Sequence, residues 1–148
     1  MAVLTYSFED KLVVAVSSRA LFDLEKENKV FEEKGETEYY KYLLDNENAP
    51  LQKGTGYRLI ENLLKINQYF DKNEKKVEVL ILSKNNAATS VRIMNAIKEY
   101  GLDIVRSAWT SGDSKSGYLQ AFDVDLFLSA DEEDVKSATR SGIAAARI

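Results

Sequence analysis

Two short stretches of uninterrupted apolar residues constrain this chain more than anything else in it. KLVVAVSS, from Lys11 to Ser18, sets Leu12, Val13, Val14, Ala15 and Val16 in a row, and VEVLILS, from Val77 to Ser83, does much the same. A strand with one wet face alternates polar and apolar residues. A strand that is apolar at nearly every position is buried on both faces, as in parallel sheets covered by helices. Each run ends on serine, where buried backbone gives way to polar residues.

Helical spacing fills the intervals. From Ala20 a charged arm, LFDLEKENKVFEEKGETEYYKYLLDNEN, reads as two helices broken at Gly35, the second carrying Tyr39, Tyr40, Tyr42, Leu43 and Leu44. Ala49-Pro50 with Gly54 and Gly56 marks a loop. Tyr57, Leu59, Ile60, Leu63, Leu64 and Ile66 then recur at helical spacing up to about Phe70. After Ser83 the spacing predicts a helix capped by Asn85 or Asn86, with Val91, Met94 and Ile97 inward and Gly101 at its end. A third strand is expected from Asp103 to Thr110, a short helix around Tyr118 to Phe122, and a fourth strand at VDLFLS. Asp131 opens a last helix, Gly142 closes it, and IAAARI supplies a fifth strand. Strands alternating with helices over short connections imply right-handed crossovers and parallel pairing. The expected architecture is α/β, a doubly wound and mainly parallel sheet in a single domain over 1–148. Its core is 11–23 and 77–148, and a helical cap is inserted at about 24–70.

Composition narrows the chemistry. The 148 residues contain no cysteine and no histidine, which excludes disulfides, thiolate sites, imidazole bases and histidine-ligated metals. Residues 25–48 hold eight acids and four bases, which accounts for the whole net charge of −4 and leaves the rest balanced. No basic face for polymeric nucleic acid is supplied. No apolar run is long enough to span a membrane, and the start MAVLTYSFEDK lacks a signal layout, so a soluble, cytoplasmic protein is expected.

In open parallel sheets, ligands bind beyond the carboxyl ends of the strands. Those ends are Ser17-Ser18-Arg19, Ser83-Lys84-Asn85-Asn86, Thr110-Ser111-Gly112 and Ser129-Ala130-Asp131. Small hydroxyls beside Arg19 and Lys84 suit a phosphate. Each also has a plain structural reading. Ser83 and Asn85 suit helix caps, Ser129 with Glu132 fits a capping box, and Asp131 and Asp134 suit the first turn of a helix. The loop SGDSKSG, with Lys115, reads equally as an anion-binding loop or a flexible turn. Trp109 and the tyrosines at 39, 40, 42 and 57 suit either base stacking or a core.

The stretches AVSSRALFDLEKENKVFEEKG, LQKGTGYRLIENLL, LSKNNAATSVRIMNAIKEYGLDI, YLQAFDVDLFLSADEEDV and GIAAARI together resemble the cytosolic 5′-nucleotidase family that acts on AMP and IMP. That family belongs to the haloacid-dehalogenase-like phosphatases, so the resemblance implies a Rossmannoid core. It covers the front half of a typical member. A segment resembling FDGDAVLFSDESE, whose aspartates are the expected nucleophile and general acid/base, comes after the last residue here. Asp123-Val124-Asp125 stands before its strand and so at the opposite edge. Ser17-Ser18-Arg19 takes the place where such a core carries its aspartate nucleophile. Ser83 matches the expected phosphate-binding serine, and Asn85, Arg92 and Asn95 match family residues. Asn86 replaces an aspartate, the TGG-x-SP turn is altered at Thr110 to Lys115, and Gln120 stands in place of a lysine that Lys115 would have to replace.

The resemblance therefore implies a nucleotide-binding protein without hydrolysis. Its ligand residues would be Ser17, Ser18, Arg19, Ser83, Lys84, Asn85, Asn86, Thr110, Ser111, Gly112 and Lys115, with Tyr39, Tyr40 and Tyr57 as base contacts. No catalytic residue and no required cofactor are expected, and a homo-oligomer is, because sheet edges need covering. Two alternatives stand beside it. One is an active magnesium-dependent 5′-nucleotidase using Asp23, Asp131 or Asp134, with Asp131 and Asp134 as metal ligands, or completed by a second chain carrying the D-G-D segment. The other is a protein-interaction module with a vestigial pocket.

Overall fold

A computed structural model describes residues 6–148, so part of the start read above for targeting lies outside it. The chain runs β1 (Leu12–Val16), α1 (Ser18–Leu21), β2 (Phe22–Asp23), α2 (Glu25–Asp45), β3 (Gln52–Lys53) and α3 (Tyr57–Lys65), which tightens into a short 3₁₀ turn. It continues with β4 (Val77–Ser83), α4 (Val91–Glu99), β5 (Arg106–Trp109), α5 (Ser116–Ala121), β6 (Leu126–Ser129), α6 (Glu132–Arg140) and β7 (Ala144–Arg147). Five strands form one sheet in the order β5-β4-β1-β6-β7, and all four pairings are parallel. Strands are added first on one side of β1 and then on the other. The doubly wound α/β architecture is thus present, and its winding reverses at β1.

The period-two rule explains the two cores. Val14, Val16, Val79 and Ile81 face one layer of helices, packed with Tyr57 and Ile60 of α3 and Ile93, Ala96 and Ile97 of α4. Val13, Ala15, Leu80, Leu82 and Phe127 face the other, against Leu119 and Ala138 of α5 and α6. Every residue of β4 is buried, as the unbroken apolar run requires. The segment expected as a cap therefore includes α3, which packs on the sheet, while α2 is the long arm outside it. A two-stranded antiparallel ribbon, Phe22 and Asp23 against Lys53 and Gln52, closes the base of that arm.

Local differences from the sequence expectation have physical causes. Gly35 does break α2, with φ +80° and ψ −177°, and Gly101 and Gly142 end their helices in the left-handed region. The expected cap at Asn86 holds only the 3₁₀ turn before α4, accepting the Thr89 amide at 3.0 Å. That turn rotates the helix, so Arg92, Ile93, Ala96 and Ile97 point inward and Met94 is exposed. The third strand begins at Arg106 instead of Asp103. The α6 cap is Asp131, whose carboxylate accepts the Glu133 and Asp134 amides. Ser129 and Glu132 do not form the capping box; the Ser129 hydroxyl accepts the Asp131 amide, and Glu132 pairs with Lys136.

Candidate functional site

The carboxyl ends of β1, β4 and β6 open into a cavity of about 490 Å³ roofed by α2. Its position follows from the winding reversal at β1, since the connections diverge there and leave a crevice. The volume is in the range of small-molecule sites.

The floor is polar. Ser17 ends β1 and caps α1, its hydroxyl oxygen accepting the Ala20 amide at 3.2 Å and the Ala130 amide at 3.4 Å. The hydroxyls of Ser18 and Ser83 meet at 3.0 Å, and Ser83 also accepts the Asn85 amide at 3.2 Å. Lys84 and Lys115 stand beside them. The Asp134 carboxylate takes Lys115 Nζ at 2.7 Å on Oδ2 and Lys84 Nζ at 2.9 Å on Oδ1, and Lys84 reaches Asp131 Oδ2 at 3.5 Å. Burial pulls the Lys115 ammonium below the usual lysine range, only partly countered by Asp134. Burial acts the same way on Lys84, but the hydrogen bond and charge of Asp134 outweigh it and raise the group. Asp131 is lowered: burial opposes its ionisation, but the Asp134 amide and Lys84 stabilise the carboxylate more.

The roof is more apolar and comes from both halves of α2. Leu24, Glu27, Asn28 and Phe31 line it before the Gly35 break, and Glu36, Tyr39 and Tyr40 after it. The break lets the second half turn back over the floor. Tyr39 donates to Asn85 Oδ1 at 3.1 Å, and Asn86 donates its amide to the Tyr40 hydroxyl at 2.8 Å. Phe31 and Tyr39 pack edge to face at 5.5 Å. Burial, with the charge of Glu27 close by, pushes the Tyr39 hydroxyl up to about 12.

Most of the expected residues converge here: Ser17, Ser18, Arg19, Ser83, Lys84, Asn85, Asn86, Ser111, Gly112, Lys115, Tyr39 and Tyr40 all line the cavity, as do Asp131 and Asp134. Others do not. Tyr57 is buried in the core against Tyr100, with its hydroxyl on Glu61. Thr110 is buried beneath the loop, donating to the Asp113 carbonyl. Asp23 sits in the ribbon, accepting the Glu25 amide. Arg92 forms a buried ion pair with Glu27 and donates to the Ala49 carbonyl, and Asn95 donates to the Glu47 carbonyl. Asp125 lies at the other edge, accepting the Val13 amide. The SGDSKSG loop is a structured turn, since its Ser111 and Gly112 amides are spent on the Asn85 and Lys84 carbonyls. Leu24, Glu27, Asn28, Phe31, Glu36 and Thr89 also line the cavity and were not expected there. Only the i, i+4 spacing of Glu27 and Phe31 places those two on one helix face.

A sequence model of the family described as 5′-nucleotidase matches residues 4–148. The chain belongs to the 5′-nucleotidase family. It is 32% identical over 142 residues to human cytosolic 5′-nucleotidase 1B, a match spanning 93% of this chain and 23% of that relative's length. Membership in the 5′-nucleotidase family raises the question of magnesium, for which Asp131 and Asp134 are the acids at the cavity floor. Their four oxygens are engaged by Lys84, Lys115, Ser129 and the α6 amides. No group of three or more acidic ligands suited to a metal occurs among the described residues. The donor set does not fit a divalent cation. No helix among the described residues is long and apolar enough to cross a membrane.

Proposed function

We propose that this member of the 5′-nucleotidase family holds a nucleoside monophosphate, or a signal derived from one, and does not cleave it. The phosphate rests on the Ser17, Ser18 and Ser83 hydroxyls with Lys84 alongside, and the base lies under α2 against Phe31 and Tyr39. The observation that carries this reading is the Ser18–Ser83 contact at 3.0 Å. It puts two hydroxyls where the strands of a doubly wound sheet present their ligand site. Stacking on an aromatic ring contributes about 1–3 kcal/mol per base, enough to select a nucleotide over inorganic phosphate.

Phosphoryl transfer through a covalent intermediate needs an unengaged nucleophile at the phosphate. β1 ends on Ser17 and Ser18, and no imidazole exists in the chain to activate either. The carboxylates of Asp131 and Asp134 are committed to lysines and helix amides. The ligand is small, and polymeric nucleic acid and membranes are not partners in this reading. The molecule works in the cytoplasm, with self-association through the β5 or β7 edge.

The test is a thermal-shift panel of nucleoside monophosphates, with and without magnesium, with phosphate release followed in the same samples. A ligand that binds only the folded state raises the melting temperature through RT ln(1 + [L]/Kd). Stabilisation without release is the expected result. Release abolished by chelation and by Asp131→Asn with Asp134→Asn would establish the active nucleotidase instead. No shift with any nucleotide would leave a protein-interaction module.

A further inference from the structure

We propose that Lys84 and Lys115 do in this pocket what a divalent cation would otherwise do, so that the ligand's phosphate binds without a metal. The proposal rests on the nucleotide-binding reading above and specifies how the charge of that ligand is met.

The argument starts from the acids. Asp134 is buried, at 8% exposure, and each of its oxygens already faces an ammonium, at 2.9 Å from Lys84 and 2.7 Å from Lys115. Asp131 Oδ1 accepts two amides of α6 at 2.9 and 3.3 Å, and only Oδ2, 3.5 Å from Lys84, is loosely held. Magnesium binds carboxylate oxygen at about 2.0–2.1 Å. To reach Asp134 it would have to expel one ammonium and stand against the other, with Asp131 Oδ2 the one loosely held carboxylate oxygen beside it on the floor. Lys115 has nowhere to go, because its side chain is only 6% exposed.

Lys84 is placed differently. At 44% exposure its side chain reaches the cavity, and it follows Ser83 directly in the chain. Giving up the 3.5 Å contact to Asp131 frees a donor for a phosphate oxygen while the 2.9 Å contact to Asp134 is kept. Lys115 then holds Asp134 in place and keeps that acid from repelling the ligand. A fixed ammonium with its hydrogen bonds already directed is a metal-free means of meeting a phosphate.

The experiment is calorimetric titration of AMP, IMP and inorganic phosphate into the protein in EDTA and again in millimolar magnesium. Nucleotide affinities that agree within about twofold between the two buffers, a coupling close to zero, are expected. Lys84→Met is expected to weaken nucleotide binding roughly tenfold, the loss of one hydrogen bond to a charged group. Asp131→Asn keeps a capping side chain while removing an acid that a cation would need. It is expected to tighten metal-free binding, because Lys84 no longer has a contact with that acid to give up. Manganese alone, followed by electron paramagnetic resonance, is expected to show no saturable binding. Nucleotide binding that requires magnesium, or saturable manganese binding lost in Asp131→Asn, overturns the proposal and leaves the nucleotide reading standing. Absence of nucleotide binding in both buffers overturns the nucleotide reading itself.

Discussion

The Ser18 hydroxyl at the start of α1 lies 3.0 Å from the Ser83 hydroxyl at the end of β4, although the two residues are 65 positions apart. Parallel pairing of β1 with β4, in register from Leu12 with Val77 to Val16 with Ile81, brings both strand ends to one edge. One of the two hydroxyls donates to the other, which leaves the acceptor's own proton for a further partner. Replacing Ser18 by Ala removes a hydroxyl proposed above to hold the phosphate, and little packing. Nucleotide affinity is expected to fall roughly tenfold, with stability changed by only about 1 kcal/mol. Calorimetry and urea denaturation on the same variant read the two effects separately.

Gly35 joins the two halves of α2 in a backbone conformation, φ +80° and ψ −177°, that is essentially open only to glycine. A methyl group built there meets no atom within 4 Å, so any penalty comes from the backbone alone. Gly35→Ala is expected to cost about 1–3 kcal/mol if the break is kept. If α2 straightens instead, Tyr39 and Tyr40 leave Asn85 and Asn86, and nucleotide affinity drops with little loss of stability. Hydrogen exchange across residues 36–45, compared with the denaturation midpoint, distinguishes the two.

Glu27 and Arg92 bind α2 to α4, and Arg92 also donates to the Ala49 carbonyl at 2.9 Å. Both side chains are buried, at 5% and 10% exposure. Arg92→Met leaves the Glu27 carboxylate buried without its partner, expected to cost about 3–5 kcal/mol. The double variant Glu27→Met, Arg92→Met removes both charges and is expected to recover much of that loss. A double-mutant cycle by chemical denaturation measures the coupling.

The Tyr39 hydroxyl gives the fold an alkaline signature. Its ordinary value of 10.0 is pushed up to about 12, first by burial and then by Glu27 and Tyr40. The folded state therefore holds a proton that the unfolded chain gives up earlier. The stabilisation is complete below pH 10 and is lost as pH rises through about 12. Tyr39→Phe removes that dependence. The stability difference between the parent and the variant is expected to shrink steadily from pH 10 upward, and a constant difference would contradict it.

The two central strands were legible because burial on both faces writes itself as unbroken apolar runs, and Val77–Ser83 matches its run residue for residue, whereas the order of the strands, with its reversal at β1, leaves no such mark. The strand-end serines were legible for the same reason. Partners set by tertiary structure were not. The match of Arg92 to the family's pattern names no partner until Glu27 is folded onto it, and Lys115 reads as a loop charge until Asp134 comes within 2.7 Å. Met94 was expected inward because the sequence carries no mark of the 3₁₀ turn that rotates α4. Tyr57 follows the helical spacing correctly, but spacing alone does not say whether the inner face of α3 meets the sheet or a ligand.

Gly54 and Gly56, read from sequence only as loop markers, prove to be packing residues that hold the site from behind. Their amides donate to the Leu21 and Ala20 carbonyls at 2.9 and 2.8 Å, so the turn lies flat against α1. A methyl group on Gly54 would fall 2.8 Å from the Phe22 carbonyl carbon, 2.9 Å from the Ala20 oxygen and 2.9 Å from the Leu21 carbonyl carbon. All three are backbone atoms, which cannot rotate away as a side chain would. Gly54→Ala must therefore shift α1 or the turn, with an expected cost of about 1–3 kcal/mol for overpacking. Because α1 carries Ser18, the displacement also separates it from Ser83, and nucleotide affinity is expected to fall although residue 54 does not line the cavity. A variant that loses stability while keeping full affinity would show that the turn yields and α1 stays. Gly117→Ala is the control, since a methyl group there meets nothing within 4 Å and residue 117 does not line the cavity.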